Sequence, residues 1–297
     1  MGKPEDKNKP SKTAVEEWVK GTAGQFSLRN IYSELPAPFP EDKAYVRVCM
    51  KRLKEAGIVV AVGKRDGLYR LVDDEAPKIN FRGADKTSIP LRFPFELEKL
   101  IRILPKSLII LAGSSGAGKT ALLYNIVYMN MYDFPIHLFS NSEMGDGQMD
   151  ERFLAIDPDF PESLPFEVWR REDNYADVIK PDAINVIDYL DLDNEVFMIG
   201  YELKKIIQKL NKGVAIVAIQ KPEGRDLGYG AGYSVKSASL YLAMDKGKRK
   251  GDPGKLKVVK ARERAISEVD PVGKTWGFHL CNRGANFIDI TEEVERK

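Results

Sequence analysis

Apolar residues recur at helical spacing in three runs near the start of the chain. The first run covers residues 14–20, and Ser27 stands where it would cap a second run over residues 28–35. The proline-rich segment 36–40 interrupts the pattern, because proline fixes the backbone and lacks an N–H donor. A further amphipathic run follows and stops at Gly57, a residue type that commonly ends helices. The pattern therefore predicts three helices in this part of the chain.

Two strand-like runs follow these helices in the segment IVVAVGKRDGLYRLV, and Asp66 and Gly67 lie in the turn between them. Three helices and a hairpin in this order resemble a winged-helix domain, which is a common DNA-binding module. The resemblance rests on the order of the elements and covers residues 13–72. Residues 1–12 are polar and are expected to form a disordered tail.

The third predicted helix carries cations on one face, because spacings of 4, 4 and 3 residues return each side chain to the same side. These are Lys43, Arg47, Lys51 and Lys54, and the hairpin turn adds Lys64 and Arg65. We predict that this set contacts DNA phosphates. The alternative is that the cations are ordinary solvent-facing residues and that the domain docks a protein.

A change of composition marks a boundary between two domains. From Val72 the sequence is acidic and proline-bearing, and no periodicity persists for long before residue 90. We therefore place a linker at residues 73–90 and a second domain at residues 91–297. A short helix over residues 95–103 is expected to lead into that domain.

The segment SLIILAGSSGAGKTALLYNIVYMN combines an apolar strand, a glycine-rich turn and an apolar helix, and it satisfies the pattern GxxxxGK[ST]. In such a loop backbone N–H groups wrap phosphates, the lysine reaches the β and γ phosphates, and the hydroxyl ligates Mg²⁺. The sequence thus predicts ATP and Mg²⁺ as cofactors, with Thr120 as a metal ligand. The predicted nucleotide-binding residues are Gly113, Ser114, Ser115, Gly116, Ala117, Gly118, Lys119 and Thr120.

Other apolar strands end in polar residues that a phosphate site would use, since the carboxyl ends of parallel strands meet at one edge of a sheet. Asp188 ends one such run and is predicted to hold Mg²⁺ through water. Ring ATPases of the AAA+ type often place a catalytic Glu directly after this Asp, but Tyr189 stands here. Glu143, which follows the run 134–139, is therefore the predicted general base. Gln220 ends a further strand and is predicted to contact the γ phosphate; the alternative is a strand-end residue that faces solvent.

These motifs together resemble the RecA-like ATPase core of DnaB-type replicative helicases. The pieces that carry the resemblance are GSSGAGKTALLYNI, LFSNSEMGDGQMDERF, NVIDYLDL, VAIVAIQ, a glycine-rich loop and a basic KxR. They cover about residues 90 to 292. The resemblance implies that Lys119, Glu143 and Gln220 are catalytic. The chain departs from the family's pattern at the N-terminus, where a winged-helix-like segment replaces the family's helical collar domain.

The resemblance also implies contacts between subunits and with single-stranded DNA. Lys260 and Arg262 match the family's KxR, in which cations stabilise transition-state charge in the neighbouring subunit's site; Arg264 is the competing candidate, and an ordinary exposed strand face is the alternative. The glycine-rich loop corresponds to the family's pore loop. In that region the candidate phosphate contacts are Lys221, Arg225 and Lys236, with Tyr229 or Tyr233 available for base stacking.

Composition excludes several classes of protein. With 43% hydrophobic residues and two cysteines in 297 residues, the chain is neither a disordered protein nor a disulfide scaffold. Its longest apolar runs are far shorter than the roughly 20 residues of a membrane helix, so we expect no membrane association and a cytoplasmic location. The net charge of +2 conceals a basic N-terminal part, an acidic stretch at 143–195 and a basic stretch at 245–264, which is compatible with a polyanionic partner.

The sequence therefore predicts an α/β fold with a RecA-like P-loop NTPase core and a mostly parallel sheet, preceded by a small winged-helix α+β domain. The predicted function is that of an ATP-hydrolysing DNA helicase or translocase that assembles as a hexameric ring or helical filament. An ATP-dependent switch that binds DNA without translocating, such as a loader or regulator, is the alternative. A recombinase-like filament is a third possibility.

Overall fold

The computed structural model describes residues 10–22, 24–35, 37–63, 67–74, 76, 78–79, 81–83, 86–141, 145–191 and 198–293. The chain divides into two units, residues 1–82 and 83–297. Within the described ranges, no helix has the length and apolar character needed to cross a bilayer.

The described part of the first unit contains three α-helices and a small antiparallel sheet with the strand order β1-β3-β2. In chain order the elements are α1 (Lys12–Gly21), β1 (Gln25–Ser27), α2 (Leu28–Glu34), α3 (Pro40–Glu55), β2 (Val59–Ala61) and β3 (Leu68–Leu71). Ser27 caps α2 in a capping box with Asn30, as the sequence predicted for the cap. The three helices and the hairpin thus occur where the pattern placed them, whereas the three-residue β1 was not predicted.

The core of this unit follows from helical spacing. Val15 and Val19 of α1 are buried one turn apart, and Val46 and Met50 of α3 are buried at the same spacing in the same apolar cluster. Phe26 of β1 is buried among them. Burial of this aromatic side chain stabilises β1 in the sheet, although the strand has only three residues.

The predicted disordered tail, residues 1–12, requires a partial correction. Residues 1–9 lie outside the described residues. Pro10 is buried, and the Ser11 side chain accepts a hydrogen bond from the Ala14 N–H at 3.1 Å, so α1 begins inside the predicted tail.

The second unit is built on a nine-stranded sheet whose order is β12-β11-β10-β9-β4-β8-β7-β5-β6. Its strands are β4 (Leu108–Gly113), β5 (Ile136–Ser140), β6 (Glu167–Arg170), β7 (Ile184–Leu190), β8 (Val214–Gln220), β9 (Leu240–Asp245), β10 (Gly254–Ala261), β11 (Thr275–Cys281) and β12 (Asn286–Glu293). The pairs from β9 to β6 are parallel, and those from β9 to β12 are antiparallel. The prediction of an α/β domain with a mostly parallel sheet is confirmed.

Helices cover both faces of this sheet. They are α4 (Lys119–Asn130), α5 (Asp146–Ile156), α6 (Ile199–Lys209) and α7 (Gly232–Ser237). Two separate apolar clusters lie on the two faces, and every residue of β4 is buried. A parallel strand that is covered on both faces has no solvent-facing side, so its apolar residues do not alternate with polar ones. This explains the continuous apolar run LIILA.

The helix predicted for residues 95–103 is wrong. A short 3-10 segment occupies Pro94–Lys99, and Phe95 and Glu96 within it have positive φ angles. The buried side chains here are Leu91, Phe93, Phe95 and Leu97, which alternate in the sequence as in an extended segment. Phe95 makes edge contacts with the rings of Phe278 and Phe287, so tertiary packing determines this conformation.

The end of the predicted linker belongs to the second unit. The Ile89 N–H donates a hydrogen bond to the Ile103 carbonyl at 2.7 Å, and Ile101 pairs with Arg264. Residues 86–90, which have no clear periodicity, therefore already contact the second unit.

Candidate functional site

The loop between β4 and α4 has a backbone that requires glycine. Gly116 and Gly118 have φ angles of 72° and 95°. A Cβ atom on Gly113 would lie 2.6 Å from Lys119 Cγ, too close for any side chain to remain without a shift. The loop leads directly into the N-terminus of α4, where unpaired N–H groups and the helix dipole favour an anion.

Lys119, the first residue of α4, is held across the loop by hydrogen bonds from its buried ammonium group. Nζ donates to the carbonyl oxygens of Gly113 at 3.0 Å and Ser114 at 3.1 Å. It also donates to Gln220 Oε1 at 3.3 Å, and it lies 5.9 Å from the centre of the Tyr189 ring. The structure therefore brings together two of the predicted catalytic residues, Lys119 and Gln220.

The predicted metal-binding residues also meet. Thr120 Oγ1 donates to Asp188 Oδ1 at 3.3 Å, although the two residues come from α4 and β7. Asp188 is buried at the carboxyl end of β7, beside Ser140 of β5. Burial, and then the nearby Asp188 carboxylate, raise the pKa of the Tyr124 phenol above its ordinary value.

A cleft of about 320 Å³ opens above the loop. Its walls include residues 115–121 together with Tyr189 and Gln220. Two arginines that the sequence did not predict also line it: Arg152 from α5 and Arg283 from the turn after β11. The sequence around Arg283 contains no motif that points to a phosphate site. Arg152 belongs to α5, the helix that follows β5, and β5 ends beside Asp188. This order along the chain is a weak sequence signal that Arg152 lies near the cleft.

The residue types around the cleft suit a nucleotide with a divalent cation. At Gly116 a Cβ would meet nothing within 4 Å, so the loop is open on that side. Thr120 and Asp188 offer oxygen ligands, which Mg²⁺ prefers. Among the described residues no group of three or more His, Cys, Asp and Glu could hold a metal ion. A Mg²⁺ ion here would therefore depend on water and phosphate oxygens for most of its ligands.

The predicted general base, Glu143, lies outside the described residues. The adjoining backbone is described: the Asn141 N–H donates to the Asp188 carbonyl at 3.2 Å. The strand that leads to Glu143 therefore ends beside Asp188, one of the two predicted metal-binding residues.

Lys260 and Arg262 do not lie near the glycine loop of the same chain. Lys260 pairs with Tyr241, which in turn pairs with Ile110 in the first half of β4, whereas the loop leaves the opposite end of that strand. Lys260 Nζ donates to the Val235 carbonyl at 2.8 Å; burial, and then the Arg262 charge, lower the pKa of Lys260. Arg262 is exposed.

Arg264, the competing candidate, forms an ion pair with Asp270 at 2.7 Å.

Lys221 is placed differently from the prediction. Its side chain has no exposed surface, and Nζ contacts Asp245 Oδ1 at 2.5 Å and the Arg225 carbonyl at 2.6 Å. Because its charge is neutralised inside the protein, Lys221 anchors the glycine-rich loop and does not present a cation to DNA. Arg225 and Lys236 are exposed, as are Tyr229 and Tyr233.

The cations of α3 keep the predicted arrangement. Arg47, Lys51 and Lys54 are exposed, and Lys43 is half-buried with Nζ 5.9 Å from the centre of the Tyr32 ring. The residues that α3 buries are Asp42, Val46, Cys49, Met50 and Leu53, on the other side of the helix. Lys64 and Arg65 lie outside the described residues.

Comparison with known proteins adds no family: no protein-family model matches the chain, and no curated protein sequence matches it significantly.

Proposed function

We propose that this protein is an ATP-hydrolysing, DNA-binding motor of the DnaB/RecA-like class, with a P-loop NTPase core and a winged-helix N-terminal domain. The observation that carries the proposal is the convergence of Lys119, Gln220, Thr120 and Asp188 at one edge of a mostly parallel sheet. These side chains come from three separate elements. A glycine loop that merely closed a turn would need none of them.

In this proposal each residue has a role set by its chemistry. Lys119 binds the β and γ phosphates, and Thr120 ligates Mg²⁺ while Asp188 holds it through water. Glu143 orients and deprotonates the attacking water, and Gln220 contacts the γ phosphate. When bound, ATP supplies the phosphoryl group that is transferred to water.

The position of the KxR residues supports an oligomer. Lys260 and Arg262 lie toward the edge of the sheet opposite the glycine loop, so they could act only on a nucleotide held by another copy of the chain. Such a cation can raise the rate by several orders of magnitude. A hexameric ring or a helical filament would provide that arrangement.

The order of elements in the first unit supports a winged helix. The elements follow the order helix, strand, helix, helix, strand, strand, and β3 lies in the middle of the sheet. This arrangement places α3 and its cations on a small α+β scaffold. We propose that α3 contacts duplex DNA through these cations.

The proposal is tested by measuring phosphate release with and without single-stranded DNA, and strand displacement on a fluorescent fork, with Glu143→Gln as the control. We expect DNA-stimulated hydrolysis and strand displacement by the unaltered protein, and ATP binding without either activity in the variant. Stimulated hydrolysis without displacement on any fork would favour the non-translocating switch. Absence of ATP hydrolysis under all conditions would overturn the proposal.

A further inference from the structure

Ion pairs join the glycine-rich loop at 221–231 to the turn between β9 and β10 and to the two strands that flank it. The turn, residues 246–253, is hereafter called the β9–β10 turn. The ion pairs are Lys221 with Asp245 at 2.5 Å, Glu223 with Lys246 at 2.7 Å, and Asp226 with Lys257 at 2.8 Å. Each acid of the loop is therefore paired with a lysine, Glu223 with one in the turn and Asp226 with one in β10, and the hydrogen bond from Lys246 lowers the pKa of Glu223. The loop and the turn form one surface.

The ion pairs leave the tip of the turn with unmatched positive charge. Lys248, Arg249 and Lys250 are exposed, and their side chains have no hydrogen-bond or ion-pair partner within the described part of the chain. The loop and the segment 245–257 together carry eight basic and four acidic side chains. A surface of this composition attracts a polyanion.

The turn is held in place by its own contacts. The Arg249 N–H donates to Asp252 Oδ2 at 2.9 Å, and a ring nitrogen of His279 lies 3.1 Å from the Gly251 carbonyl oxygen. A turn fixed in this way presents its cations with less loss of backbone freedom than a free loop would.

The loop and the turn begin where β8 and β9 end, beside the proposed nucleotide cleft. Met244, just before Asp245, pairs with Gly113 at the start of the glycine loop, and the Lys221 N–H donates to the Gly113 carbonyl at 3.2 Å. Lys221 also directly follows Gln220. A ligand that moves this surface would therefore act on the backbone next to Gln220.

Exposed aromatic rings lie in the glycine-rich loop and just after it, in α7. Tyr229 is 45% exposed and Tyr233 is 70% exposed. Aromatic rings stack on unpaired bases, which duplex DNA does not present. A surface that offers exposed tyrosines as well as cations suits a single strand better than a duplex.

We propose that the β9–β10 turn binds the phosphate backbone of single-stranded nucleic acid through Lys248, Arg249 and Lys250, together with the loop at 221–231. This inference rests on the proposed function, because it locates part of the single-strand surface of the motor. It joins the loop that the sequence predicted to part of the basic stretch at 245–264, which the sequence marks as compatible with a polyanionic partner.

The first experiment compares the triple variant Lys248→Ala/Arg249→Ala/Lys250→Ala with a control of equal charge change, Lys204→Ala/Lys209→Ala/Lys212→Ala. The control residues are exposed and lie on or after α6. Binding of labelled oligo(dT) is measured from low to high salt with a non-hydrolysable ATP analogue. Each lost phosphate contact lowers the slope of log affinity against log salt by about 0.7 on a single strand, so we expect a drop of about 2 for the turn variant. The control should keep the unaltered slope.

The outcomes separate the inference from the proposed function. If the unaltered protein binds oligo(dT) and the turn variant has the same slope and affinity, the inference is wrong and the motor proposal stands. If the unaltered protein binds ATP but no single strand under any condition, the DNA-motor proposal itself is overturned. An equal loss by the control variant would mean that overall charge, and not the turn, determines binding.

A second experiment tests the connection between the loop and the turn. Glu223→Lys and Lys246→Glu each break one ion pair and change the charge in opposite directions, while the double variant has the original net charge and a reversed pair. We expect each single variant to reduce the stimulation of ATP hydrolysis by oligo(dT), and the double variant to restore it. Equal stimulation in all of these proteins would show that the loop and the turn act separately, against the proposal.

Discussion

The ammonium group of Lys119 donates a hydrogen bond to the side chain of Gln220 at 3.3 Å, although 101 positions separate the two residues in the chain. This contact joins the glycine loop to the end of β8. A phosphate that binds Lys119 would compete with Gln220 for the same ammonium protons. The contact is therefore a simple physical means by which occupation of the loop could be sensed at Gln220.

Replacing Lys119 with alanine should abolish tight ATP binding. The variant loses the buried cation that spans the loop, and the carbonyls of Gly113 and Ser114 each lose the hydrogen bond that Lys119 donates. We expect affinity for ATP to fall by about 100-fold or more, which corresponds to about 2.7 kcal/mol. Titration with a fluorescent ATP analogue measures the change. Lys204→Ala, on the exposed side of α6, is the matched control, and unchanged affinity in Lys119→Ala would refute the assignment of the loop.

Asp188→Asn should separate nucleotide binding from metal dependence. The amide keeps the size of the side chain beside Thr120 Oγ1 but removes the negative charge that a divalent cation requires. We expect Mg²⁺ to strengthen ATP binding by the unaltered protein and to have little effect on the variant. Binding is measured in Mg²⁺ and in EDTA, with the exposed Asp159→Asn as control. An undiminished Mg²⁺ effect in Asp188→Asn would remove this residue from the metal site.

The strand and loop positions of the candidate site could be predicted because each has a local signal. The loop pattern depends on residues 113–120 alone, and Asp188 and Gln220 each end an apolar run. Once parallel strands are assumed, their carboxyl ends must meet at one edge. The structure agrees with that reasoning for Lys119, Thr120, Asp188 and Gln220.

Features that depend on distant partners could not be predicted in this way. Lys221 resembles a surface lysine in the sequence, and only its pairing with Asp245, 24 positions later, makes it a buried anchor. Phe95 lies in a segment with a weak helical pattern but packs among aromatic rings of β11 and β12, which overrides that pattern. Arg283 reaches the cleft from the turn between the antiparallel strands β11 and β12, where no sequence motif exists.

Reversing charge on α3 should weaken binding to duplex DNA. Arg47→Glu/Lys51→Glu removes two exposed cations and replaces them with acids on the same helix face. If both contact phosphates, the slope of log affinity against log salt should fall by about 2, since each contact contributes about 0.9 on a duplex. Lys20→Glu/Arg52→Glu makes the same change of charge at other exposed positions and serves as control. Equal duplex binding by both variants would favour a protein-docking role for the first unit.

A histidine on β5 should make the stability of the second unit depend on pH. The Trp169 indole N–H donates to His137 Nδ1 at 3.2 Å, so the neutral ring acts as an acceptor. Burial lowers the pKa of His137 below its ordinary 6.5, and Lys180 adds to this; the nearby Glu167 carboxylate partly opposes the shift. Protonation of Nδ1 would remove the acceptor that Trp169 needs.

The sign of this effect follows from proton linkage. Because the pKa of His137 is lower in the folded protein, the unfolded chain binds more protons between the folded pKa and 6.5. The contribution of His137 to stability is therefore complete above pH 6.5 and is lost as the pH falls through the folded pKa. We expect the melting temperature of the unaltered protein to fall more steeply between pH 7.5 and 5.5 than that of His137→Gln, whose amide oxygen can still accept from Trp169 but does not titrate. Tryptophan fluorescence over the same range should shift in the unaltered protein alone, and parallel pH profiles of the two proteins would show that His137 has no such role.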